Sequence, residues 1–291
     1  MIRAPKAIVI FAALSALAQQ SNAPRVAVPL LARDSHHHAV TISADSLVVT
    51  DQKSTVAAVT LLKGSDVPLE LGILVDTSRS QHDAHLDEVL LAAKEFAEEV
   101  VVKPDDRAFF LSFDITTKAT RWLRKEDLSA IKIRVELSGG TALYDAVAVA
   151  CKERMGVPDR NKPTRRVLII ISDGEDNQSH ITKQEAVSDA LSAGAIILAI
   201  HTGEANQTGV FAGEKIMHDF AKETGGEFYD QPRDKDLTKM FGDIRGLIEA
   251  MYLVVYAPPD PSKNAAHEVQ IKSAAKEKLN LSYPKKYFWN P

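Results

Sequence analysis

The sequence predicts a doubly wound α/β fold with a mostly parallel sheet. Three observations predict it. Four short runs are continuously apolar: LELGILVD at 69–76, RAFFLSFD at 107–114, RVLIIISD at 166–173 and GAIILAIH at 194–201. Such runs suit strands covered on both faces. Amphipathic segments at 84–102, 143–155, 182–193 and 213–224 have helical spacing and alternate with the strands, as parallel sheets with crossover helices require. Clusters of Asp, Ser, Thr and Gly stand directly after strand runs, the edge at which open α/β sheets bind ligands.

The elements follow in chain order. Arg3 and Lys6 form a positive stretch ahead of the apolar run 7–18, and Ala16 and Ala18 precede Gln19. This is the layout of a Sec signal peptide over residues 1–18, cleaved after Ala18, and it predicts a periplasmic or secreted protein. The run is shorter than the ~20 residues a membrane-spanning helix needs, and the rest of the chain has no longer one. Residues 25–66 alternate apolar and polar positions between turns and read as an N-terminal β segment. The α/β domain is assigned to 68–257. Within it TKATRWL (117–123) reads as an antiparallel edge strand, 235–250 as a further helix, and MYLVVYA as a strand stopped by PPDP. Residues 258–291 hold strand candidates at 267–274 and 279–284. Neither flanking segment is long enough for its own core, so the two are expected to pair into a small β appendage.

Composition narrows the function. Net charge is -4, whereas a dedicated nucleic-acid binder carries a basic excess. Cys151 is the one cysteine, which excludes an intrachain disulfide and a multi-cysteine metal site. Its apolar helical setting predicts a packed thiol. His36, His37 and His38 have no further ligand nearby at zinc spacing and read as a solvated turn. Phe288 and Trp289 read as packing for the last strand.

Three loops carry the chemistry: Asp76-Thr77-Ser78-Arg79-Ser80, Gly139-Gly140-Thr141 and Ser172-Asp173-Gly174-Glu175-Asp176. They offer carboxylate and hydroxyl oxygens but no imidazole or thiolate. An all-oxygen set selects a hard cation, Mg²⁺ first, then Mn²⁺ or Ca²⁺.

An Asp-x-Ser-x-Ser loop, a distant Thr and a later Asp, each in this structural setting, resemble the metal-ion-dependent adhesion site of von Willebrand factor type A domains. Asp76, Ser78, Ser80, Thr141 and Asp173 match its five ligand positions. The flanks are similar to those of a bacterial exported subfamily. The resemblance implies a Rossmann-like sheet, serines that bind the metal directly, a conditional threonine, and aspartates acting directly or through water. It also implies an open position that accepts a carboxylate from a protein partner. One departure is Arg79: many bacterial members read DTSGSM, and this chain reads DTSRSQ. Asp114, Asp145 and Glu175 are candidates for a supporting shell, with helix-end complementation the other reading of Asp145.

Enzyme patterns are missing. The loop after 69–76 lacks the second acid of a haloacid-dehalogenase-type phosphatase, and no G-x-S-x-G elbow, P-loop or dinucleotide fingerprint occurs. A non-enzymatic role is therefore expected, with two readings open. One is a metal-dependent protein-binding module. The other is a scaffold subunit of an envelope complex whose metal site takes no partner. A scaffold would cover the metal face with its own β appendage; a binder would leave it open.

Overall fold

The computed structural model describes residues 25–36, 38–79, 85–133, 135, 139–203, 210–230, 237–261, 265–274 and 279–289. The expected signal peptide, His37 and Ser80 lie outside the described residues.

The α/β unit is a six-stranded sheet. Its strands are β5 (Leu69–Asp76), β6 (Arg107–Phe113), β7 (Thr117–Ala119), β8 (Arg165–Ser172), β9 (Ile196–His201) and β10 (Glu227–Asp230). Their order is β10-β9-β8-β5-β6-β7. Neighbouring strands run parallel except β7, which pairs antiparallel with β6 at one edge. The order reverses between β5 and β8, and this makes a ligand crevice at their carboxyl ends. β5 lies at the centre because all its residues are buried. Gly72 allows the tight centre: a Cβ there would lie 2.5 Å from both Leu168 and Phe109 side-chain carbons.

Helices cover both faces: α1 (His85–Val100), α2 (Lys125–Leu128), α3 (Leu143–Val149, continued by a π-turn to Met155), α4 (Lys183–Ser192), α5 (Val210–Thr224) and α6 (Leu237–Ala250). Side chains alternate across each strand. Phe110, Ile169 and Leu198 thus pack with Phe96 of α1 and Phe241 of α6. Phe109, Leu111 and Ile170 pack with Val147 of α3, Val187 of α4 and Phe220 of α5. Cys151 is buried in this second layer.

The remaining strands are β1 (Val26–Arg33), β2 (Leu47–Asp51), β3 (Ser54–Thr55), β4 (Thr60–Lys63), β11 (Tyr252–Tyr256), β12 (Ala265–Ser273), β13 (Asn280–Ser282) and β14 (Lys286–Trp289). They form two four-stranded sheets, β13-β1-β11-β4 and β14-β12-β2-β3. These enclose a common core of Val28, Leu30, Val49, Val254, Ile271 and Trp289, a small β-sandwich.

The sequence puts YLVVY within 68–257 and leaves its sheet open. The strand at 252–256 is not part of the parallel sheet. It pairs antiparallel with β1 and β4 inside the sandwich. Its fully apolar run fits a buried strand in either sheet, so hydropathy alone does not choose. β10 was not foreseen. EFYD is short, polar at both ends and half-buried at the sheet edge, and it lacks the apolar run that marks its neighbours. HAVTISA, read as β-like, makes one isolated bridge, Arg33 with Ala39.

The sandwich meets the α/β unit at the amino ends of the parallel strands. Arg33 pairs with Glu227 at the start of β10, 2.9 Å apart. The buried Arg165, first residue of β8, donates to the carbonyls of Val67 and Ile248, each at 3.2 Å.

Candidate functional site

Asp76 is the last residue of the central strand, so its carboxylate reaches the carboxyl edge beside the switch point. The group is buried. Oδ2 accepts from the Ser172 hydroxyl at 2.6 Å, and Oδ1 accepts from the Ser78 N–H at 2.9 Å. Ser172 ends the adjacent strand β8, so the two central strands are tied at their tips. Its hydroxyl also accepts from the Gly174 N–H at 3.0 Å, which starts the turn that carries Asp173. Asp173 Oδ1 in turn accepts from the Glu175 N–H at 3.0 Å.

Burial first, and the Asp173 carboxylate second, push the Asp76 carboxyl up to about 7. Two acids are thus set close together at a desolvated edge, and they repel. A cation between them would reverse that repulsion. This is the observation by which the donor set fits a divalent ion.

Thr141 joins them from the loop before α3. It is buried. Its N–H donates to the Asn177 side chain, and its carbonyl accepts from the Asn177 and Gln178 N–H groups, all at 3.0 Å. The Thr141 loop and the Asp173 loop are therefore fixed to one another. Ser78 is buried beside Asp76. The structure brings four of the five expected ligand residues, Asp76, Ser78, Thr141 and Asp173, to one edge. The fifth, Ser80, lies outside the described residues. Arg79 is exposed.

The expected supporting acids divide. Asp114 is buried; its Oδ1 accepts from the Thr116 N–H at 2.6 Å, and its carbonyl accepts from the Ala142 N–H at 2.7 Å. It braces the Thr141 loop from the β6 side. Asp145 accepts from the His180 and Ile181 N–H groups and meets His180 Nδ1 at 2.8 Å. Burial opposes its ionisation, but these bonds outweigh that and hold its carboxyl below the usual range. It clamps α3 to the Asp173 loop. The Glu175 side chain is exposed.

Sequence reasoning missed the roles of Ser172, Asp176 and Asn177. Asp176 accepts from the Tyr144 N–H at 2.9 Å and from the Ser179 hydroxyl at 2.6 Å, capping the start of α3 from another loop. No local pattern announces a cap supplied from thirty residues away. The histidine stretch is a turn in which Asp34 Oδ1 accepts from the His36 and His38 N–H groups.

No family model matches the chain, and no curated protein sequence matches it. Solved structures do. An aerotolerance-related membrane protein from Bacteroides fragilis is 18% identical, with 62% of this chain and 98% of that chain covered and a TM-score of 0.44. A von Willebrand factor type A protein from Catenulispora acidiphila is 13% identical over 85% of this chain and 75% of that one, with a TM-score of 0.47. The ArnB paralog VWA2 from Sulfolobus acidocaldarius is 13% identical over 92% and 77%, with a TM-score of 0.46. These likenesses are distant; the chain's own strand order and edge loops carry its fold.

Proposed function

We propose that this chain, whose α/β unit has the von Willebrand factor type A fold, is an exported module that holds one divalent cation and docks an acidic group of a protein partner. Asp76, Ser78, Ser80, Thr141 and Asp173 would hold the ion. Mg²⁺ is the expected cation, since every donor is a hard oxygen. When bound, it would supply an open coordination position for a carboxylate oxygen. The two acids would balance its charge without closing that position.

One observation carries this reading. The four described candidates, Asp76, Ser78, Thr141 and Asp173, stand at the carboxyl edge of the sheet, while the β-sandwich packs at the amino edge. The length of β8, about 23 Å at ~3.3 Å per residue, separates the two ends. A scaffold that hides its own site would place that layer over the metal edge. Among the described residues the sandwich does not approach it. Support for binding rather than catalysis comes from the surrounding acids. Asp114, Asp145 and Asp176 each hold backbone N–H groups, so their carboxylates already serve to position loops.

The test is calorimetric titration of Mg²⁺ into the mature chain, beside Asp76→Ala and Asp173→Ala. Saturable one-site binding, lost in both variants while their circular dichroism stays unchanged, is expected. A wild-type chain that binds none of Mg²⁺, Mn²⁺ or Ca²⁺ overturns the proposal.

A further inference from the structure

A cleft of about 230 Å³ lies at the other end of the molecule, where the sandwich meets the α/β unit. One wall is the first half of β1 with β14. The other is the 157–164 loop and Arg166 of β8, with the end of α4. We propose that this cleft binds a small monocarboxylate with an apolar body.

Its size sets the scale of the ligand. A cavity of about 150 Å³ holds benzene, so this one takes about nine carbon-sized atoms. Pro158, Leu191, Phe288 and Trp289 supply apolar wall.

Its charge sets the sign. Of its five cations, Arg166 pairs with Glu70 at 2.8 Å, Lys162 pairs with Asp105 at 3.1 Å, and Arg25 is also engaged. Two others are not so paired. The Arg160 guanidinium stacks over the Trp289 ring, 3.9 Å from its centroid, and has no carboxylate partner among the described residues. Lys286 likewise has none. Asp159 is the one acid among the described lining residues, and its carboxylate accepts from the Asn161 N–H in its own turn.

The backbone adds a donor. β1 pairs with β11 over Val26–Leu30 and with β13 only over Leu31–Arg33. Pro29 has no N–H, so the bonds to β11 must come from positions 26, 28 and 30. Ala27 therefore presents its N–H away from β11, on the edge that lines the cleft. An apolar slot rimmed by two unpaired cations and a strand N–H matches an anionic head on an apolar tail.

The test uses octanoate and the full mature chain in EDTA, so its outcome is independent of the metal site. The chain has two tryptophans, Trp122 and Trp289, and the Trp289 indole N–H donates to the Pro261 carbonyl beside the cleft. The expected result is a saturable shift of the Trp289 indole ¹H–¹⁵N resonance, with Trp122 unmoved. Arg160→Gln and Lys286→Gln should each weaken octanoate by about fivefold, the scale of one partly exposed charge contact. Octanol and octylammonium should bind more weakly than octanoate. Absence of a saturable shift up to about 10 mM overturns the proposal. So does equal binding of octanol, which would leave only an apolar hole. Octanoate binding unchanged in both variants overturns it too.

Discussion

At the scale of single residues, the site is a balance between Asp76 and what surrounds it. Burial and the neighbouring Asp173 carboxylate push its carboxyl from 3.8 up to about 7. The folded value is the higher one. Asp76 therefore contributes stability that is full below the unperturbed value and lost as pH rises through about 7. The metal-free chain should melt at lower temperature at about pH 8 than at about pH 6, and both Asp76→Asn and saturating Mg²⁺ should flatten that dependence. Scanning calorimetry at several pH values checks it. Gly174 is a second sensitive point. Its φ is +78°, and a Cβ would lie 2.2 Å from the Gly213 carbonyl oxygen. Gly174→Ala should cost at least about 1–3 kcal/mol in a denaturant titration and weaken Mg²⁺ by moving Asp173. Strand and helix patterns located the loops at 76–80, 139–141 and 172–176, and the resemblance, not periodicity, singled out Asp76, Ser78, Thr141 and Asp173 within them. Neither disclosed Ser172 as the group that holds Asp76. A serine at a strand end has many uses, and only the pairing of β5 with β8 selects this one.

At the scale of elements, the helices were legible where their ends carry local signals. α4 opens on a capping box: Thr182 Oγ1 accepts from the Glu185 N–H, and Glu185 Oε2 accepts from the Thr182 N–H at 2.8 Å. Thr182→Ala should therefore cost about 1 kcal/mol, read by thermal unfolding. α3 has no such box. Asp176 and Ser179 cap it from a distant loop, so its start could be read only from its apolar pattern. The strands divide in the same way. Those covered on both faces appear as apolar runs, and edge strand β10 does not. YLVVY was legible as a strand but not by the sheet it joins, because burial is legible in a sequence and the identity of the neighbour is not.

At the scale of the whole molecule, the sandwich depends on a polar knot that no hydropathy pattern shows. Asp51, wholly buried, accepts from the Tyr256 and Tyr287 hydroxyls and pairs with His267 Nδ1 at 2.9 Å. These residues come from β2, β11, β12 and β14, so the knot joins both sheets. Asp51→Ala would strand a buried histidine and two hydroxyls, and should cost about 3–5 kcal/mol in chemical denaturation. Tyr287→Phe removes one bond and should cost about 1 kcal/mol.

The placement of the sandwich has a mechanical consequence. β1 and β14, the first and last described strands, lie in it, at the pole opposite the Asp76 edge. The parallel strands run from one pole to the other. A tensile load between the two poles acts along those strands. It shears many β5–β6 and β5–β8 hydrogen bonds at once instead of unzipping them in turn. A tether at the sandwich and a grip at the far edge would meet the α/β unit along its stiffest axis.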